Sequence, residues 1–303
     1  MASHVIVGAG AVGSATATLL AERGEQVTIV SRSGSGPDHQ NVKRVAADAT
    51  DADRLSQIAE GAAVLYNCLN PEYHRWLTDW PPLAAALLTA AERSGAVYAI
   101  TGNLYGYGEV DGPITDDTPL AATHPKLKLR ADMWRDALAA AESGRIRAVT
   151  EVRGSDYIEA NSIFTFMLDK PLRAGKRGLV PTPLDVPHSF TAIADMARTM
   201  VTVAGDERGL NKAWLVPSNE PMTIRQIAER FTEVIGAPKP KLASIPALVL
   251  SVYGLFDPFV RELRTTRYQW AKPFSLDASS TTSTFGIAPT DLDIALKAIK
   301  PVA

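Results

Sequence analysis

The sequence predicts an α/β chain: a doubly wound parallel sheet followed by a smaller mixed α/β unit. Three observations carry this. Apolar stretches of strand length alternate with stretches of helical period from residue 5 to 154, glycines at 8, 10 and 13 separate the first strand from the first helix, and the alternation loosens after 155. Parallel neighbours must be joined by a crossover helix, so such alternation means a sheet covered on both faces.

Val5 to Val7 is the first strand, Ala11 to Arg23 a helix, and Val27 to Val30 the second strand. Gly8, Gly10 and Gly13 form G-x-G-x-x-G between the first strand and that helix. In a dinucleotide-binding unit the first glycine permits the tight turn, the second lets a pyrophosphate approach the backbone, and the third lets the helix pack close to the sheet. The helix amino terminus then faces the anion. Gly8, Gly10, Ala11, Val12 and Gly13 are therefore expected at the cofactor, in a Rossmann-type domain.

The end of the second strand selects the dinucleotide. An NAD site places Asp or Glu there to accept from the adenosine ribose hydroxyls, and a carboxylate would repel a phosphate. This chain has Ser31, Arg32 and Ser33. A forked cation between two hydroxyls suits a 2′-phosphate, so NADP(H) is expected ahead of NAD(H). Arg32 can also be read as a solvated loop charge.

After a polar loop at 33–41, a third strand is expected at 42–48, a helix at 50–62 capped by Thr50 or Asp51, and a fourth strand at 63–69. A helix follows at 72–94, interrupted at Pro81 and Pro82, then a fifth strand at 96–102, a helix at 125–143 and a sixth strand at 147–154. Ligands lie beyond the carboxyl ends of such strands. Asp48, Asn67, Cys68 and Leu69 are thus further cofactor candidates, with Asp48 alternatively a cap, Asn67 and Asn70 alternatively an Asn-Pro turn, and Cys68 alternatively a small buried hydrophobe.

Helices are expected near 162–173, 190–204, 223–235, 257–268 and 289–299, with a short strand in "AWLVP". The dinucleotide domain is drawn as 1–154 plus about 188–205, and the substrate domain as 155–187 plus 206–303. "IPALVLSVYGLF" at 245–256 is too short to span a bilayer and reads as a core or subunit-interface helix.

The chain has 303 residues, 46% hydrophobic and 21% charged, with 31 basic and 33 acidic side chains. So balanced a charge attracts neither nucleic acid nor a membrane, and the partner expected is a small-molecule substrate. A single cysteine fits a reducing cytoplasm, and the amino terminus lacks the basic region of a signal peptide. The five histidines have no metal-ligand spacing and there is no G-x-S-x-G elbow, so neither a metal site nor a serine hydrolase is expected.

Several segments together resemble the extended and atypical short-chain dehydrogenase/reductases, the NAD-dependent epimerase/dehydratase group. "ITGNLYGYG" at 100–108 is similar to that family's fifth-strand segment, "VRGSDYIEAN" at 152–161 to the segment that reaches over the nicotinamide, and "HSFTAIADMARTMV" at 188–201 to the stretch of strand and helix, with an aspartate at Asp195, that returns to the main domain. The resemblance implies that Thr101 helps bind a reacting carbonyl. It also implies pairing of two copies through the helices beside strands four and five.

The family's Tyr-x-x-x-Lys is broken: Lys126 stands about where its tyrosine should be and Arg130 about where its lysine should be. Arg130 can hold a ribose hydroxyl or phosphate but releases no proton; the other reading is an exposed helical arginine. Lys126 is expected to be solvated. No tyrosine lies between Tyr107 and Tyr157, leaving Tyr105, Tyr107 and Tyr157 as candidate proton donors beside Thr101. The expected function is an NADP(H)-dependent oxidoreductase acting on a small carbonyl, hydroxyl or sugar-like metabolite. The alternatives are a non-catalytic redox sensor or assembly factor, and an NAD-dependent epimerase or dehydratase.

Overall fold

The computed structural model describes residues 2–160, 162–253, 255–257, 260, 262 and 264–301. Contacts divide the chain into two units: Met1–Gly108, Leu120–Arg153 and Met196–Val216 form the first, and Glu109–Pro119, Gly154–Asp195 and Pro217–Ala303 the second.

The first unit is built on a seven-stranded sheet. Its strands are β1 (Ser3–Val7), β2 (Gln26–Ser31), β3 (Val42–Ala46), β4 (Val64–Asn67), β5 (Val97–Asn103), β6 (Val149–Gly154) and, much later, β10 (Lys212–Leu215). They run parallel in the order β10-β6-β5-β4-β1-β2-β3. The direction of winding reverses between β1 and β4, which opens a crevice at their carboxyl ends.

The helices of this unit include α1 (Ala11–Glu22), α2 (Ala52–Ala59), α3 (Trp76–Ser94) and α4 (Pro125–Glu142), together with the greater part of the later helix at Ile193–Ala204. A buried cluster including Val5, Leu55, Leu65, Leu87, Tyr98 and Trp134 joins β1, β4 and β5 to α2, α3 and α4. Asp51 caps α2 by accepting from the Arg54 amide, and Pro125 opens α4 where its missing donor costs nothing.

Three expectations are corrected here. The helix at 72–94 is not interrupted: α3 runs through Pro81 and Pro82. Both prolines are exposed, and the carbonyls they deprive belong to exposed Leu77 and Thr78, where water can satisfy them, while buried Trp76, Trp80, Leu87 and Ala91 anchor the helix. The "AWLVP" strand, drawn with the smaller unit, is β10, which extends the main sheet by pairing with β6 from Lys212↔Thr150 to Leu215↔Arg153. The third strand ends at Ala46, so Asp48 lies in the turn beyond it.

The second unit contains β7 (Asp156–Tyr157), β8 (Arg177–Val180), β9 (Phe190–Thr191) and β11 (Lys241–Ser244), joined as two parallel pairs, β7 with β9 and β8 with β11. The stretch expected as a helix at 190–204 is β9 followed by α6 (Ile193–Ala204), the strand and helix that the resemblance expects at 188–201, and the helix expected near 162–173 is a π segment, Phe164–Leu168, followed by α5 (Asp169–Arg173). Helix α7 (Ile224–Val234) starts with a capping box in which Thr223 and Gln226 satisfy each other's backbone amides. Its Ile227 and Phe231 pack with Phe164, Leu168, Val180 and Trp270 in this unit's own core.

Helix α8 (Ala247–Tyr253) lies within the apolar 245–256 run, but it is not a core helix: Leu248, Val249 and Val252 are exposed. Short helices at Tyr268–Ala271, Ser279–Phe285 and Leu292–Lys297 complete the unit. The expected helix at 257–268 includes positions 258, 259, 261 and 263, which lie outside the described residues.

Candidate functional site

The glycine turn sits at the switch point. Gly8 has φ +111°, and a Cβ there would lie 2.5 Å from the Cys68 carbonyl oxygen; a Cβ on Gly13 would lie 1.9 Å from the Gly8 carbonyl oxygen. Both glycines are thus demanded by backbone packed against backbone. Gly10 differs: a Cβ there meets nothing within 4 Å. It is also the N-cap of α1, which has no side-chain cap and no acidic residue in its first turn. Free amides, an uncompensated positive helix end and open space beside Gly10 together form a cradle for a diphosphate. A dinucleotide fits these residues, with Ala11 and Val12 supplying amides of the first turn.

Ser31 ends β2, and its neighbour Gly8 donates its amide to the Val30 carbonyl at 2.9 Å. The Ser31 hydroxyl is used locally, accepting from the Ser35 amide at 2.8 Å. Arg32 and Ser33 are exposed, and Arg32 makes no hydrogen bond or ion pair among the described residues. Asp48 accepts from the amide and hydroxyl of Thr50 at 2.9 and 2.8 Å. Those bonds, with a smaller contribution from Arg32, hold its carboxyl below the usual range.

The end of β4 is a packed wall. Asn67 is buried, donating to the Tyr98 hydroxyl at 3.1 Å and accepting from the Leu69 amide at 3.2 Å, so its amide is engaged within the protein. Cys68 is buried beneath the glycine turn, and burial pushes its thiol up to about 12. That sulfur is an inert packing atom at neutral pH. Thr101 on β5 points its hydroxyl at two sulfurs, Met200 Sδ at 3.3 Å and Cys68 Sγ at 3.5 Å. Sulfur is a weak acceptor, so little holds this hydroxyl in place.

Lys126 and Arg130 lie one turn apart on α4, and both are buried. Lys126 is 2% exposed and Arg130 5%, which corrects the expectation of a solvated lysine. Lys126 Nζ lies 4.4 Å from the centre of the Tyr73 ring, and the Arg130 guanidinium 4.7 Å from that of Trp80. Arg130 also donates to the Thr101 carbonyl at 2.6 Å, tying α4 to β5. Tyr105 packs beside Tyr73 and Trp76, with ring centres 6.1 and 5.7 Å away. Two cations thus pack against a cluster of four aromatic rings, at the positions where the resemblance expects a proton-transfer pair.

The three tyrosines are not equivalent. Tyr105 is half-buried, whereas Tyr107 is 2% exposed and its hydroxyl accepts from Arg153 Nη1 at 2.8 Å. Tyr157 is half-buried on β7 in the second unit.

Sequence reasoning missed the buried charges of β6. Arg153 Nε donates to Glu151 at 2.6 Å, both side chains are under a tenth exposed, and a Cβ on Gly102 would lie 2.8 Å from the Glu151 side chain. Burial opposes the Arg153 charge, but Glu151 and Tyr107 outweigh it and hold the guanidinium protonated. The available signal was a Glu-x-Arg alternation inside an otherwise apolar strand, with a glycine on β5 to make room.

Residues 4–144 match the family model of the saccharopine dehydrogenase NADP-binding domain. None of the curated proteins matches the sequence. Among solved structures, UDP-glucose 4-epimerase from Thermotoga maritima with UDP-glucose is 14% identical, with 98% of this chain and 97% of that one covered at a TM-score of 0.78. UDP-glucuronic acid 4-epimerase from Bacillus cereus in complex with NAD is 15% identical, with 98% and 95% covered at 0.77. The dTDP-glucose 4,6-dehydratase of Bacillus anthracis with NAD is 14% identical, with 99% and 95% covered at 0.77. The chain therefore has the fold of the extended short-chain dehydrogenase/reductases, the NAD-dependent epimerase/dehydratase group.

Proposed function

We propose that the chain binds NADP(H) in preference to NAD(H) and is an oxidoreductase of the atypical short-chain type, acting on a small carbonyl, hydroxyl or sugar-like metabolite. The observation that carries this is the glycine turn: open at Gly10, set at an uncapped helix terminus and flanked by the exposed Arg32, which makes no hydrogen bond or ion pair among the described residues. The match of residues 4–144 to an NADP-binding domain supports the same cofactor. Solved neighbours carrying UDP-glucose or NAD support a sugar-like substrate and keep NAD(H) as the second cofactor.

A dinucleotide held at Gly8, Gly10 and Gly13 would bring a nicotinamide able to supply or accept a hydride. This chain must supply a proton donor without Tyr-x-x-x-Lys, and the burial of Tyr107, whose hydroxyl accepts from Arg153, weighs against that residue. Tyr105 is then the first-unit phenol to test, with Tyr157 the candidate from the second. Turnover of NADPH with a panel of aldehydes, ketones and nucleotide sugars checks this. Tyr105→Phe is expected to lower kcat by about 10²- to 10⁴-fold, the usual worth of a general acid, without weakening cofactor binding.

The burial of Lys126 and Arg130 against aromatic rings favours a second reading, a dinucleotide-responsive sensor or assembly factor. Tight NADPH binding with no turnover on the whole panel would select it.

A further inference from the structure

The second unit places exposed cations on β8 and β11 and exposed apolar side chains on the helix and turn that follow β11, a clustering that the near-neutral balance of the whole chain conceals. In the β8–β11 pair, Arg177 and Lys241 are direct register partners, and Leu179 and Ala243 are partners two residues on, on the same face. Arg177, Lys241 and Leu179 are all exposed. Like charges placed side by side on paired strands repel, and neither has a carboxylate partner among the described residues. Lys170, Lys176 and Lys239 flank the same strands in sequence, exposed and equally without ion pairs among the described residues.

The chain leaves β11 beside β8, with the Ile245 amide donating to the Val180 carbonyl, and turns directly into α8. Leu248, Val249 and Val252 are exposed by 77%, 42% and 51%, and the turn that follows exposes Leu255 by 72% and Phe256 by 84%. Positions 248 and 252 are one turn apart, so α8 turns an apolar stripe outward. From 170 to 184 and from 234 to 256 the sequence contains no acidic residue.

We propose that this face, β8, β11, α8 and the Leu255–Phe256 turn, docks on an anionic lipid surface. Cations on the strands would meet the headgroups while the protruding leucines and Phe256 enter the boundary of the acyl region. No helix among the described residues is long and apolar enough to cross a membrane, so the contact is peripheral. A lipid surface is favoured over a protein partner because the apolar side chains protrude from a helix and a turn, while the unpaired charges on and beside β8 and β11 are all basic and mostly lysine, which suits a diffuse anionic plane; exposed Asp257 lies just beyond Phe256.

Flotation of the full chain with phosphatidylcholine vesicles, with and without phosphatidylserine, tests this. Binding is expected to the anionic vesicles alone and to fall as salt is raised. Arg177→Gln and Lys241→Gln should each weaken it about fivefold. Leu255→Ser with Phe256→Ser should weaken it about tenfold or more. Because these side chains are exposed, the variants should keep the wild-type melting temperature. No binding to anionic vesicles, equal binding to neutral ones, or variants that float like the wild type would overturn the proposal. So would concentration-dependent self-association in sedimentation that the Leu255/Phe256 variant abolishes, since the face would then belong to a second copy.

Discussion

Gly10→Ala separates a glycine kept for a ligand from one kept for the fold. Its backbone, at φ −73° and ψ −172°, is open to alanine, and the new methyl meets nothing within 4 Å. Fewer unfolded conformations should make the variant equally stable or about 0.4–1 kcal/mol more stable. The melting temperature of the apo protein should therefore rise by no more than about 2–4 °C. The same methyl stands where the pyrophosphate must approach. Loss of one amide bond to a charged phosphate, about 1.5–3 kcal/mol, weakens NADPH about 10- to 100-fold. Gly13→Ala supplies the contrast, because its Cβ would sit 1.9 Å from a carbonyl oxygen and the turn itself must move. That variant should lose about 1–3 kcal/mol of stability together with binding. Scanning fluorimetry and titration calorimetry read both quantities. If Gly10→Ala bound NADPH as tightly as the wild type, the diphosphate would not sit at this turn, and the reasoning would fail.

Arg32→Gln should cost NADPH about 10- to 100-fold in affinity and leave NADH unchanged, since only the former carries a phosphate for the guanidinium to hold; equal losses for both would remove Arg32 from selectivity. Arg153→Met should destabilise the fold by about 3–5 kcal/mol in urea titration, because it strands the buried Glu151 carboxylate. A second loss should come from Tyr107→Phe, about 1–3 kcal/mol, as Arg153 Nη1 loses its acceptor. Burial lowers the pKa of His4, so the folded state binds fewer protons than the unfolded one between the lowered value and 6.5. Stability should therefore be fully present above that range and decline as pH falls through it, and His4→Leu should flatten this part of the curve in urea titrations. A groove of about 690 Å³ between α3 and α4, lined by Leu88, Leu129 and Met133, is where the resemblance expects a second copy; Met133→Arg should then shift sedimentation from dimer to monomer.

What was legible in the sequence was local. The glycine turn announces itself because tight turn, helix start and strand ends lie within a few residues, and Gly8 and Gly13 indeed meet backbone. Alternation of strands and helices gave the parallel sheet for the same reason. Lys126 was misread because "KLKLR" looks solvent-facing by itself, while the aromatic rings that cover Lys126 and Arg130 come from residues 73 to 80. The edge strand β10 was assigned to the smaller unit because nothing in four residues names a partner some 60 positions away. Pro81 and Pro82 read as a break because propensity ignores which face of α3 carries them. Tyr107 reads as a loop phenol because Arg153, which donates to its hydroxyl, lies 46 residues away on β6.

The central claim is a diphosphate-binding turn selective for the phosphorylated dinucleotide, and calorimetric titration of the full chain with NADPH and with NADH tests it most directly. One saturable site per chain is expected, with NADPH bound about tenfold or more tighter than NADH. An absence of binding heat with both, across several temperatures, would contradict it.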